Sequence, residues 1–409
     1  MKKVHYAWFI LVACCAFTFG IGLTANTAGQ FLVPITREMG FGMGVFTLTG
    51  GIRGVCSLLA TTQVNKLLDR INFRLLISVC FALSMICTGM MGTFSHLWQW
   101  YAQSFIVGFI GPMTGWMIPG IILSNWFVKR RGFAIGLATT FSGIGGAIMN
   151  PVIAWLIQTY GWRFAYVAQA VTACLLILPF LIFIIDLKPS NRGLKPYGYE
   201  EEDEAGGGNN QLKGVSRDDA VHSVSFVYMV IVSAVIGFLA AYSHMLAAFG
   251  SSIGLVATVA AVLSSLSMVG NATFKIGLGV INDKFGGMKM TYCNLGLAFA
   301  SLVLLNLGVS IRPLLYAGAF LAGSFLTISS VAMPLLVHSV YGSRDHTKIF
   351  VLTSMCMNFV MSLSQSIVGF SYDITGSFTL SQYGGMIVIV VAVILTYLAY
   401  QASRKLVQT

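Results

Sequence analysis

About twelve apolar segments follow one another along this chain, each near the ~20 residues that an α-helix needs to cross a bilayer. Their limits are 6–33, 43–66, 74–93, 98–126, 132–157, 163–186, 224–249, 254–281, 290–309, 313–340, 348–371 and 378–402. The runs are long and continuous, whereas the strands of a transmembrane barrel alternate over short segments, so the spans are helical. Only 9% of the 409 residues are charged and 56% are hydrophobic. A soluble domain carries roughly 25% charged residues, and a water-soluble fold of this length could not cover its surface with so few. The expected fold is an all-α membrane protein with twelve transmembrane helices and lipid as the main solvent.

The net charge of +11 does not point to nucleic acid, because the basic residues sit between apolar runs rather than in one patch. With both termini placed in the cytoplasm, Lys2, Lys3, Lys66, Arg70, Arg74, Lys129, Arg130, Arg131, Lys284, Lys289, Arg344, Lys348, Arg404 and Lys405 fall on one side. Arg37, Arg163 and Arg312 fall on the other, a strong positive-inside bias. The apolar stretch after Met1-Lys2-Lys3 is too long for a signal h-region and reads as the first span. The cysteines all lie inside apolar runs with no metal-ligand spacing, as small packing residues do.

The longest polar stretch, 187–223, holds Glu200, Glu201, Glu202, Asp203 and Glu204 followed by Gly206-Gly207-Gly208-Asn209-Asn210, a composition expected of a flexible cytoplasmic linker. It divides the chain into an N-terminal six-helix bundle, 1–186, and a C-terminal one, 224–409. The halves repeat each other: Asp69 after the second span and Asp283 after the eighth are 214 positions apart. Pro119 and Pro334, and Gly161 and Gly376, are each 215 apart. Such a duplication implies two pseudo-symmetric bundles, and related bundles about a central site are how many carriers achieve alternating access.

The turn Asn65-Lys66-Leu67-Leu68-Asp69-Arg70-Ile71-Asn72-Phe73-Arg74 resembles the G-x-x-x-D-R-x-G-R-[RK] loop of the major facilitator superfamily, with Asn65 and Asn72 in place of glycines. Gly279-Val280-Ile281-Asn282-Asp283-Lys284-Phe285-Gly286 is a closer match. The resemblance implies the major facilitator fold and a cytoplasmic gate built from Asp69, Arg70, Arg74, Asp283, Lys284, Arg130 and Arg131. Asn125-Trp126-Phe127-Val128-Lys129-Arg130-Arg131-Gly132-Phe133-Ala134-Ile135-Gly136 is similar to the W-F-x-x-R-R-G-x-A-x-G junction of monocarboxylate transporters and oxalate:formate antiporters. Ser142-Gly143-Ile144-Gly145-Gly146, Pro151, Tyr160-Gly161-Trp162-Arg163 and the opening Tyr6-Ala7-Trp8 continue that pattern through the first half.

Charge deep inside a span needs a reason, because it costs at least about 2.5–3.5 kcal/mol on insertion scales. Arg53 and Lys275 lie that deep, and no Asp or Glu does. A mobile anion would neutralise them, Arg by a two-pronged grip on a carboxylate and Lys as a point charge; snorkelling toward water is the bland alternative. In the family resembled, an Arg eight residues before the Asp of the eighth span binds substrate carboxylate, and Lys275 occupies that place. Asn271, one turn earlier, stands where proton-linked members carry a titrating Asp, which implies the antiporter branch. The antiporter's second cation, on span eleven, has no counterpart in the core of that span here; Asn358, Ser362 and Gln365 share a face there. Arg53 is left to supply the second charge from a different helix.

Asn26 and Gln30 share a face of the first span and could line a cavity or bond another helix. His244 and His338 could titrate near neutral pH or sit neutral and hydrogen-bonded. Trp116 and Tyr242 could wall the cavity or simply pack. No P-loop, metal cluster or nucleophile–base pair points to an enzyme, and no cofactor is expected. The reading is a monomeric carrier in the cell membrane that moves a small carboxylate by alternating access and anion exchange. A proton-coupled monocarboxylate symporter, a non-transporting sensor of the same fold, and a drug or sugar carrier are the alternatives.

Overall fold

The computed structural model describes residues 5–61, 63, 71–115, 117–199, 214–342 and 344–407. Among them, eleven helices are long and apolar enough to cross a membrane. One of the eleven, Arg131–Phe183, has 53 residues. At 1.5 Å per residue it would run ~80 Å, more than twice a ~30 Å hydrocarbon core. Inside it Gly161 adopts φ 84° and ψ 161°, open only to a residue without Cβ, and the helix parts there. It therefore supplies spans five and six, which makes twelve spans among the described residues. Gly376, its partner in the repeat, ends span eleven at φ 67°. Side chains such as Phe183, Ile276 and Ile374 are 72%, 71% and 84% exposed. Water would penalise that surface; lipid tails do not.

By packing, the chain forms two compact units: Met1–Met39 with Val55–Asn209, and Gly40–Gly54 with Asn210–Thr409. In the first unit, span one is broken. Ala7–Ala25 stops, residues 26–28 turn, and Gly29–Met39 resumes. A break inside a bilayer frees backbone groups that side chains must satisfy. The Leu23 carbonyl accepts from Gln169 Nε2 at 2.7 Å and from Thr27 Oγ1 at 2.6 Å. Lipid provides no hydrophobic drive for helices to associate, so such interhelical bonds and close backbone approaches hold the bundle.

The first unit's other end is organised by Asp186, 8% exposed at the foot of span six. Its carboxylate accepts from Arg74 Nη2 at 2.9 Å, Arg192 Nε at 3.2 Å and Asn191 Nδ2 at 2.9 Å. Its backbone carbonyl accepts from the indole of Trp126 at 2.8 Å. Arg192 also lies over the Tyr6 ring. The chain then folds back: Tyr197 N donates to Trp126 O at 2.8 Å, and its ring packs on Trp8 and Phe127. The beginning of the stretch expected as a flexible linker is thus docked, because paired charge and aromatic burial hold what composition alone marks as loose. Asp186→Ala leaves two guanidiniums facing a void and should cost about 2–3 kcal/mol. That is below the ~3–5 of a fully buried pair because both arginines keep part of their hydration. A melting curve of the purified variant that overlays the wild type would refute this role.

In the second unit the linker's far end docks as well: Val215 N donates to Tyr341 O at 2.8 Å, and Gly214 bridges to Gly342. Phe127, which bridges to Tyr197, and Gly342 are 215 positions apart, the offset of the sequence repeat. Each linker end is therefore held at the equivalent turn of its own half. The acidic run 200–204 and the glycines after it lie outside the described residues. Residues 43–54 of span two (Met43–Thr61) pack on span eleven (His346–Thr375). Asp373 accepts from the N–H groups of Met43 and Gly44 at 2.9 and 2.8 Å, a carboxylate on two of the donors a helix start leaves unpaired.

Candidate functional site

Lys275 stands on span eight, Ala257–Phe285. It is half-buried, and among the described residues no carboxylate, hydroxyl or carbonyl partners its ammonium. Asn271, one turn earlier and 5% exposed, accepts a hydrogen bond at Oδ1 from Thr327 Oγ1 of span ten (Arg312–Tyr341) at 3.0 Å. Just before these residues the two helices touch. A Cβ at Gly270 would fall 2.0 Å from Phe320 O, and one at Gly323 2.1 Å from Asn271 N. Span ten then passes through a π-helical turn, Ile328–Ala332, two to six residues before Pro334, which has no N–H to give to the regular ladder. The hydroxyls of Ser329 and Ser330 both donate to Leu326 O there.

Arg53 is exposed, on the turn of span two that packs against span eleven. Cβ atoms built at Gly50 and Gly54 would lie 3.5 Å from Gln365 Oε1 and 2.2 Å from Ser362 Oγ. The structure thus sets Arg53's helix turn beside the polar face expected on span eleven, of which Asn358 is exposed and Gln365 half-buried. His244 on span seven (Val224–Ser252) is half-buried and, among the described residues, has no hydrogen-bond partner. His338 packs edge-on against His346 near the end of span ten.

Other candidates are committed to structure. Asn26 Nδ2 donates to Ser142 O at 3.0 Å and Gln30 Nε2 to Asn150 Oδ1 at 2.9 Å, both into span five. Of the two uses open to them, the helix-to-helix bond is the one made. The Tyr242 hydroxyl donates to the Ser381 carbonyl, and its ring lines a small apolar crevice with Leu246, Phe249 and Phe378. Trp116 lies outside the described residues, as do Asp69 and Arg70 of the expected gate. Arg74 of that gate is engaged by Asp186 within its own unit. Arg130, at φ 64°, Arg131, Asp283 and Lys284 are exposed at helix ends. Asp345, just outside span eleven, hydrogen-bonds Lys348 and the Arg217 N–H, which hold its carboxyl below the usual range.

Thr327 and Gln169 escaped the sequence reading. A glutamine inside an apolar span was a signal for the second. Threonine is too common in membrane helices for the first to stand out. Among the described residues no group of three or more His, Cys, Asp or Glu could hold a metal ion.

Against known proteins, the Major Facilitator Superfamily model matches residues 12–364. Sugar phosphate exchanger 3 of Xenopus laevis is 30% identical over 187 residues, 42% of this chain and 36% of that protein. Monocarboxylate transporter 13 of Bos taurus is 24% identical over 267 residues, 63% of this chain and 58% of its own length. The matched stretches thus cover well under two thirds of those relatives. A solved bacterial homologue of the human lysosomal transporter Spinster, inward-facing and occupied, superposes with a TM-score of 0.72. It covers 99% of both chains at 14% identity, a likeness of fold alone.

Proposed function

The chain belongs to the Major Facilitator Superfamily, and on that premise we propose that it is a secondary transporter of small organic carboxylates, working by alternating access and anion exchange. One observation carries the substrate class: Lys275, deep in span eight, has no partner among the described residues. A charge kept unpaired in a low-dielectric region invites a mobile counterion, and binding one returns electrostatic energy. Asn271 beside it cannot titrate, so no proton carrier stands next to the cation. Relatives named for a sugar phosphate and a monocarboxylate fit an anionic cargo, and the first is named an exchanger.

Exchange follows from the same charge. An empty carrier that reoriented would take its uncompensated ammonium through the membrane; a loaded one would not. Arg53 is the second cation in this reading. Both termini and the 187–223 linker lie on the cytoplasmic side of the cell membrane. The carrier acts as a monomer.

Counterflow in liposomes is the test. Labelled carboxylate should accumulate only when unlabelled carboxylate is trapped inside, with at least about tenfold less uptake into empty vesicles. Uptake that needs no internal anion but follows an imposed pH gradient would overturn exchange. It would favour a second reading, proton symport through His244, whose half-buried ring lacks a partner among the described residues.

A further inference from the structure

Asn271 has one amide oxygen and one amide NH2. The oxygen is taken: Thr327 Oγ1 reaches it at 3.0 Å from a fully buried position on span ten. The nitrogen is not. No protein group accepts from Nδ2 among the described residues, and Nδ2 is not among the buried atoms cut off from surrounding space. Lys275 lies four residues on, on the same helix face, and its ammonium is equally unpartnered. Both open ends are therefore donors.

Thr327 is well placed to impose this. The backbones of spans eight and ten touch at Gly270 and Gly323, so Thr327, one turn beyond Gly323, cannot drift from Asn271. The Thr327 hydroxyl also stands 3.0 Å from the carbonyl of Gly323 on its own helix, so its single proton is shared between that carbonyl and Asn271 Oδ1. The π turn begins at the next residue, so the register of span ten changes only after Thr327 has been set.

We propose that Thr327 is a positioning residue for the anion site. By occupying Asn271 Oδ1 it turns the amide so that NH2 joins the Lys275 ammonium in a donor-only pair. A carboxylate accepts from both at once and through charge, which a neutral alcohol cannot match; a cation finds no acceptor there. This rests on the reading of Lys275 as the substrate cation, and it adds that selectivity for an acceptor-only ligand is set from span ten.

The experiment uses the purified full-length chain. Acetate, lactate, oxalate and tartrate are ranked by thermal shift, and the best stabiliser is titrated for Kd. Thr327→Val should weaken Kd about tenfold, and Thr327→Ser, which keeps the hydroxyl, should restore it to within about threefold. In an Asn271→Ala background Thr327→Val should weaken binding no further, because the group it orients is gone. A merely structural role would lower the melting temperature without this dependence on Asn271. Asn271→Asp, which keeps the acceptor for Thr327 but offers no N–H, should lose at least tenfold and serves if Thr327→Val does not fold. Wild-type affinity in Thr327→Val or Asn271→Asp, or an undiminished Thr327 effect in the Asn271→Ala background, overturns the proposal. Lys275→Gln separates the two claims: full carboxylate binding there sinks the parent reading. Loss there with an inert Thr327 sinks only this one.

Discussion

Lys275→Gln should abolish carboxylate-induced stabilisation while leaving a better-folded apo protein. Glutamine nearly matches the length of the lysine stem and keeps an N–H donor, so only the charge is removed. A hydrogen bond to a charged group is worth about 1.5–3 kcal/mol, so affinity should fall roughly 10- to 150-fold. The apo protein gains because a half-buried ammonium without a partner no longer sits in the span. Insertion scales put that burden near 2.5–3.5 kcal/mol, and part-burial reduces it. Two opposite shifts in one variant are hard to mimic by general damage. Thermal melts with and without carboxylate read both. A Lys275→Gln protein that melts no higher when empty and binds carboxylate unchanged would remove the basis for an anion carrier. Lys275→Arg, with charge kept and a forked donor added, should retain binding.

The second large effect is steric. A Cβ at Gly323 would meet Asn271 N at 2.1 Å, Gly270 C at 2.4 Å and Ser267 O at 2.6 Å. All three are backbone atoms, so no rotamer change relieves the clash, and spans eight and ten must part by more than about 1 Å. Overpacking by one methyl usually costs about 1–3 kcal/mol where side chains can yield. Here Gly323→Ala should reach the top of that range or beyond, and Gly323→Val should give little folded protein. Detergent-solubilised melts and the yield of monodisperse protein measure this. Gly323→Ala with wild-type stability would mean that the helices do not cross at this point. The lost contact also frees Asn271 from Thr327, so surviving Gly323→Ala protein should show the weakened carboxylate affinity of Thr327→Val.

Spans and depth were written in the chain itself. Apolarity and length are local properties, and they marked twelve crossings even where Arg131–Phe183 runs as one helix with a break at Gly161. The repeat offset of 215 positions reappears in the docking of both linker ends. The depth of Lys275 was likewise legible, because lipid tolerates so few charges that each one stands out. What a polar side chain does at its depth was not legible. Asn26 and Gln30 could by type line a cavity or bond another helix, and the structure shows them bonding span five. The polar start of the linker looks loose, yet Asp186 and Tyr197 hold it. Thr327 carried no mark at all. Hydropathy reports the cost of burying a group, but whether a partner meets that cost depends on a helix tens of residues away. Only the tertiary structure brings the two together, and it left Lys275 without a protein partner among the described residues while giving one to Asn271.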